Sequence, residues 1–447
     1  MPIPESQASH PAIGDVEGAL ERTLGVRSLS ASILNITVGG GIFLAPAVVA
    51  ARLGAEAWVA YLVCAVAFGL IVLCFAEAGS RVTMTGGPYA YVGTVFGPFL
   101  GFQSGVLIWL FGTVAHAGVA SAFAQAVNAL IPGAGVGVTR VLVIVFVFLL
   151  FTLVNVRGVS KGARLVEVGT VAKLLPLVCL VVFGAFAVSP ANLAWSGGLE
   201  VAKLGRVSLF LLFAFAGVES ALVPSGEIKD PARTVPRAIA IAMTAVTVLY
   251  IGVQVVAQGI LGDDLAKYPD APLAAAAGKA FGPAGGMLLL LGAAISMFSH
   301  LSGMMLAMPR ALFAFARDGY LPGFLARVSP ATHVPTAAIV THATLVSVLA
   351  ISGTFTQLAT FADVMVLVLY LLCCLAAFEL RRRDIREGGT PFRVPGGAVV
   401  PWLAIAMIGY LLSSAQATEL LGVGAILAVA TALYAGRMAA RRSRPAV

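Results

Sequence analysis

Val38-Gly39-Gly40-Gly41-Ile42-Phe43-Leu44-Ala45-Pro46 sets three consecutive glycines and a proline inside an otherwise apolar run. These are the residues that hold an α-helix least well. The chain around them has 447 residues, 60% hydrophobic and only 11% charged, with a mean hydropathy of +0.98. Soluble domains carry about a quarter charged residues. Apolar windows of about 20 residues recur throughout, each long enough to cross about 30 Å of hydrocarbon. Such continuous runs exclude a β-barrel, whose strands alternate in polarity. The chain reads as an all-α membrane protein, and the glycine run falls inside its first crossing.

Twelve apolar windows are expected to span: 28–52, 57–79, 96–131, 138–157, 164–188, 205–225, 236–261, 284–316, 335–352, 355–380, 400–418 and 420–440. Residues 1–27 are polar, partly acidic and too long for the basic region of a cleavable signal, and read as a tail. Of 28 lysines and arginines, 21 fall on the side of both termini and six (Arg52, Arg140, Lys203, Arg206, Lys267, Lys279) on the other. The one left over, Lys173, is assigned to neither side and remains inside a span. The positive-inside rule then places both termini in the cytoplasm, and the cytoplasmic (inner) membrane is the expected location. A core over 28–380 is followed by a basic loop over 381–399, two further helices over 400–440 and a tail over 441–447. The net charge of +8 accompanies this topology and anionic lipid, so no nucleic-acid partner is implied. Cys64, Cys74, Cys179, Cys373 and Cys374 all lie in apolar spans without metal-ligand spacing and read as packing residues.

Irregular backbone at membrane depth persists only where it is buried in protein or lines a wet cavity. Glycines that serve helix packing recur four apart on one face, whereas a consecutive run covers the whole circumference. Gly39-Gly40-Gly41 therefore predicts an unwound segment. The sixth span repeats the pattern in Phe213-Ala214-Phe215-Ala216-Gly217-Val218-Glu219-Ser220-Ala221-Leu222-Val223-Pro224. Spans one and six each open a five-helix set, with repeats over 28–188 and 205–380. Matching interruptions in two halves are the signature of an inverted-repeat transporter holding substrate at the midplane. A half-helix N-terminus offers N–H groups to a carboxylate, and freed carbonyls accept from an ammonium.

Three motifs in order, VGGGIFLAP, residues 211–240 and Ala316-Arg317-Asp318-Gly319-Tyr320-Leu321-Pro322, resemble those of the amino acid–polyamine–organocation superfamily over residues 25–390. The resemblance implies the five-plus-five inverted repeat of the bacterial leucine transporter with two extra helices. It places carboxylate-facing amides at Gly39, Gly40 and Gly41, and amine-facing carbonyls at Thr37, Phe213, Ala214 and Ala216. Ile42 and Gly217 complete that substrate set, and Phe213 is the aromatic gate. Gly40 stands where the family usually has serine, so one hydroxyl contact to the carboxylate is lost. In the sodium-independent branch a lysine at the position of Lys173 lies beside the first break, where related transporters bind sodium. A buried lysine there is also able to exchange a proton.

Ionisable residues at membrane depth cost at least about 2.5–3.5 kcal/mol and require an explanation. Lys173 lies roughly 15 Å from the span's edge at about 1.5 Å per residue, a strain on snorkelling. Glu219 reads as a cap on the second half-helix, as a titrating group coupled to substrate, or both. His116, His300 and His342 are scattered and read as hydrogen-bonded core histidines. Asp363 is expected in the outer half of span ten facing a wet vestibule, and Glu77 and Glu379 as solvated groups at span ends. Arg381-Arg382-Arg383 reads as a topology anchor, and Glu227, Lys229, Asp230 and Arg233 as an inner-gate ion-pair set. The side-chain pocket is expected between Gln103–Trp109, span six and His300–Met305.

Together these readings give a sodium-independent secondary transporter of amino acids, neutral ones favoured, by proton symport or exchange, with no cofactor and no metal. Cationic amino acids or polyamines are the alternative. An intramembrane enzyme lacks its motifs here: there is no H-E-x-x-H, and Asp263-Asp264 has no second acidic cluster. A channel filter is usually built symmetrically, unlike two dissimilar breaks in one chain.

Overall fold

A computed structural model of the chain describes residue 22 and residues 24–442, except 158, 196, 198–199, 330–331, 333 and 388; side chains at 159–167, 227, 355–356, 360 and 439–442 are also outside the description. The tail expected over 1–27 and the one over 441–447 therefore lie largely outside the described residues. Fifteen helices follow in order: α1 Val26–Thr37, α2 Gly41–Leu53, α3 Ala57–Arg81, α4 Pro88–Leu130, α5 Gly137–Val156, α6 Val159–Gly184, α7 Val201–Phe215, α8 Val218–Ala221, α9 Pro231–Leu261, α10 Pro272–Phe281, α11 Pro283–Arg317, α12 Thr336–Ser352, α13 Phe355–Arg382, α14 Val399–Ser413 and α15 Ala417–Arg442.

The outer faces identify the solvent. On α5, Val138, Leu142, Phe146, Leu149 and Leu153 repeat at helical spacing and are exposed, while Ile144, Val147, Phe148 and Phe151 are buried. Such an apolar stripe turned outward suits lipid and not water. Among the described residues, nine helical stretches are long and apolar enough to cross a membrane, and Thr336–Ser352 and Val399–Ser413 are shorter apolar helices. Nine rather than twelve has local causes. Helices α2 and α3 are nearly continuous, joined by a short 3-10 turn at Gly54–Glu56, and α12 and α14 have only 17 and 15 residues. Helix α4 is kinked at Gly97 (φ 82°) before Pro98, which is where the third apolar window opens. Helix α10, ten residues long, was too short to register as a hydropathy window.

The arginine-rich end of the bundle departs from expectation. Glu77 is buried, not solvated. Its carboxylate accepts from Arg81 on its own helix (2.9 Å), from Arg381 on α13 (2.8 Å) and from the Val394 N–H (3.1 Å). Arg381 is thus a bridge between α3 and α13 as well as a surface cation. Glu379 is also buried and pairs with Arg382 (2.7 Å) and Arg383 (2.5 Å). Asp384, in the exposed turn that follows, is held below the usual carboxylate range chiefly by its hydrogen bond from Arg386. The expected inner-gate ion pairs reduce to an exposed Asp230–Arg233 contact at 3.8 Å, and the Glu227 side chain lies outside the described residues. Backbone makes the tie instead. Leu24 and Ile228 form a parallel bridge, and the Lys229 N–H donates to the Leu24 carbonyl (2.9 Å), joining the start of α1 to the segment after α8.

Candidate functional site

Helix α1 ends at Thr37, α2 begins at Gly41, and Val38 between them has φ −79° and ψ +79°, outside the helical region. Unwinding removes the donors that the last turn of α1 would have had, and side chains from three other helices replace them. Lys173 Nζ on α6 donates to the Asn35 carbonyl (2.5 Å) and the Val38 carbonyl (2.7 Å). His300 Nδ1 on α11 meets the Ile36 carbonyl at 2.8 Å. The Tyr250 hydroxyl on α9 donates to the Thr37 carbonyl (3.1 Å), and the Ser296 hydroxyl to that of Val38 (3.1 Å). Lys173 is fully buried and turns toward the break rather than toward the membrane edge. Every freed carbonyl from Asn35 to Val38 has a protein donor.

The second break is built differently. The Ala216 N–H closes α7 on the Leu212 carbonyl (3.0 Å). Gly217 follows with φ 144°, a backbone conformation that only glycine adopts readily. Glu219, fully buried, accepts from the Gly217 N–H (3.0 Å) and from the Tyr370 hydroxyl on α13 (2.7 Å). The carboxylate therefore folds back over the N-terminus of α8, where the helix leaves N–H groups without acceptors.

The two breaks touch. A Cβ on Gly217 would stand 2.8 Å from the Thr37 hydroxyl and 2.9 Å from its backbone nitrogen. One on Gly41 would stand 3.0 Å from the Ala214 Cα. Glycine at both positions lets the two backbones pass, and between them lies a cavity of about 20 Å³, room for one water.

Of the expected substrate residues, Thr37, Gly39, Gly41, Phe213, Ala216 and Gly217 line this cavity together with Glu219, while Gly40, Ile42 and Ala214 do not. The Gly39 N–H is already bonded to the Thr37 carbonyl (2.9 Å), which leaves Gly40, Gly41 and Ile42 as the amides at the start of α2. The Thr37 carbonyl, expected to meet an amine, already accepts from Tyr250 and Gly39. Its hydroxyl is the buried group there without a partner. The wall from α4 is Phe111, Ala115 and Val119. The expected Gln103–Trp109 stretch sits too early on the helix, and Gln103 bonds instead to Thr431 on α15 (2.7 Å).

His300 carries more than a core role. A carbonyl only accepts, so Nδ1 facing Ile36 is the protonated nitrogen and Nε2 keeps a lone pair. Nε2 is buried with no partner, and the ring borders the cavity. His116 and His342 are not scattered: Nδ1 of the first lies 3.2 Å from Nε2 of the second, joining α4 to α12. Asp363 is fully buried rather than facing a vestibule, and lies beside the Phe213 main chain.

A family model described as amino acid permease matches residues 24–433. The serine/threonine exchanger SteT of Bacillus subtilis is 28% identical over 418 residues, 91% of this chain and 94% of that protein. The methylthioribose transporter of the same species is 27% identical over 438 residues, 93% of each chain. The branched-chain amino acid permease BcaP of Lactococcus lactis is 27% identical over 435 residues, 89% of this chain and 90% of that one.

Proposed function

Because the chain belongs to the amino acid permease family, and is a multi-pass membrane transporter rather than an enzyme, we propose that it carries small neutral amino acids by alternating access without sodium. Twelve spans arranged as a five-plus-five inverted repeat, with both termini cytoplasmic, frame this reading. The observation that carries it is Lys173 Nζ seated on the Asn35 and Val38 carbonyls at 2.5 and 2.7 Å. Carbonyls freed at such a break are cation ligands in sodium-coupled transporters, and here a side-chain donor takes them.

The substrate carboxylate meets the N-terminus of α2 at Gly40, Gly41 and Ile42. Its ammonium lies between the carbonyls ending α7, at Ala214 and Ala216, and His300 Nε2. Phe213 closes over it as the gate. The apolar wall of Phe111, Val119 and Met304 suits a neutral side chain, the class to which the substrates named for SteT belong. Glu219 is already engaged by Tyr370 and Gly217, which disfavours the cationic or polyamine alternative. Lys173 and Glu219 are the candidates for coupling a proton to transport; exchange is the other mode. Uptake of radiolabelled serine into proteoliposomes, with sodium or choline outside and with or without an imposed proton gradient, tests the reading. Saturable uptake indifferent to sodium is expected. Uptake that requires sodium overturns it. Preloaded unlabelled amino acids separate exchange from symport.

A further inference from the structure

Among the described residues, a cavity much larger than the one between the breaks lies elsewhere. It is a groove of about 890 Å³ between α3 and α9. From Ala232 to Val248 it follows α9 over seventeen residues, a rise of about 24 Å at about 1.5 Å per residue, the depth of a membrane leaflet and somewhat more. Its walls are apolar, with Gly69 and Leu73 on α3 facing Met243 on α9, and Phe215 at the inner end of α7 is part of the lining. At the arginine-rich end of the bundle, Arg233 and Arg237 stand one helical turn apart at its rim. Arg237 is exposed. Among the described residues, Arg233 pairs with the exposed Asp230 at 3.8 Å.

We propose that this groove is a binding site for an anionic diacyl phospholipid, one acyl chain lying along α3 and α9 and the phosphate held by Arg233 and Arg237. An apolar trough open to the bilayer is filled by a chain, and the two guanidiniums at one end select the head group. Arginine binds phosphate with paired, charge-assisted hydrogen bonds, and basic residues at a membrane surface favour anionic lipid. Gly69 marks where the chain runs: a Cβ built there meets nothing within 4 Å, so the missing side chain leaves open trough and not a helix contact.

The test does not depend on the transported substrate. Purified transporter is loaded with phosphatidylglycerol or phosphatidylcholine of the same acyl chains, and retained lipid is counted by native mass spectrometry. Phosphatidylglycerol is expected to be retained preferentially. Arg233→Ala with Arg237→Ala should reduce its retention by about fivefold for each arginine. Gly69→Leu fills the trough, keeps the helix, and should displace phosphatidylglycerol while both arginines remain. Equal retention of the two lipids overturns the proposal. Retention lost with the arginines but untouched by Gly69→Leu also overturns it, since surface charge alone then explains the preference. A dimer that dissociates in Gly69→Leu, without lipid loss, assigns the groove to a second copy of the chain.

Discussion

Both helix breaks turn on glycine, Gly39–Gly41 in one and Gly217 in the other, and they are built in opposite ways. Between Thr37 and Gly41 the chain is held from outside by Lys173, His300, Tyr250 and Ser296, which come from α6, α11 and α9. Between Phe215 and Val218 the chain is held mainly by its own Glu219, steadied by Tyr370. The carbonyls of the first break are therefore consumed by the fold, and of the glycines that follow, Gly39 and Gly41 line the cavity. The second has its Gly217 N–H held by the Glu219 carboxylate, and on the proposed reading the substrate ammonium sits at the carbonyls that end α7. On that reading, the anionic end of a zwitterion meets the break that is clamped from outside, and the cationic end meets the break held by its own carboxylate.

Filling the crossing between the two breaks should have the largest effect. In Gly41→Val the Cβ falls 3.0 Å from the Ala214 Cα and 3.4 Å from its nitrogen, backbone atoms that cannot rotate away. Substrate binding is expected to vanish while gel filtration of the solubilised protein stays normal. Near-native affinity would place the carboxylate site elsewhere.

Removing the external clamp comes next. Lys173→Ala leaves the Asn35 carbonyl with no side-chain donor, whereas Val38 keeps Ser296. One buried unsatisfied acceptor costs about 1–3 kcal/mol, so affinity measured by isothermal titration should fall roughly five- to 150-fold. Sodium restoring it would show that the emptied carbonyls form an ion cage. Unchanged affinity would mean that the first break holds its shape without the lysine.

The internal clamp is expected to be softer. Tyr370→Phe keeps the ring packed on Phe68 and Phe75 but removes the hydroxyl donor to Glu219. Loss of one hydrogen bond to a charged group is worth about 1.5–3 kcal/mol at most, and the Gly217 N–H remains as a second partner. Transport should slow several-fold with binding retained. Glu219→Gln separates shape from charge: if it flattens the pH dependence of uptake and Lys173→Ala does not, coupling belongs to the second break.

Local chemistry made both breaks legible in the sequence. Three glycines in a row, a Gly217 followed by Pro224 and a lysine ten residues inside a span are each costly within a bilayer, so each announces itself. Tertiary pairings hide what remained. Glu77 looked solvated because its partner Arg381 lies 304 residues away. His116 and His342 looked isolated because nothing in sequence brings α4 beside α12. His300 and Met304 already fell in the expected pocket, and both line the cavity, but the bond of His300 to the Ile36 carbonyl needed α11 beside α1. The Gln103–Trp109 pocket was misplaced by register, about two turns on a 43-residue helix with no internal marker for the membrane midplane. The bridge between Leu24 and Ile228 uses backbone, which carries no residue signature.

The smallest expected effect tests the one departure from the family's glycine motif. Gly40 replaces the usual serine, which should cost a hydroxyl contact to the carboxylate if that side chain faces the substrate. A Cβ at position 40 instead meets Ala122 and Met297 at 3.5 Å, ordinary contacts on the side away from the cavity, and Gly40 is not among the residues lining it. Gly40→Ser should therefore fold normally, stiffen the unwound segment slightly and change substrate affinity by less than about threefold. Affinity is compared by competition binding in detergent. A gain of tenfold or more would show that the serine hydroxyl reaches the carboxylate after all, and that the first break reshapes around substrate instead of keeping its clamped form.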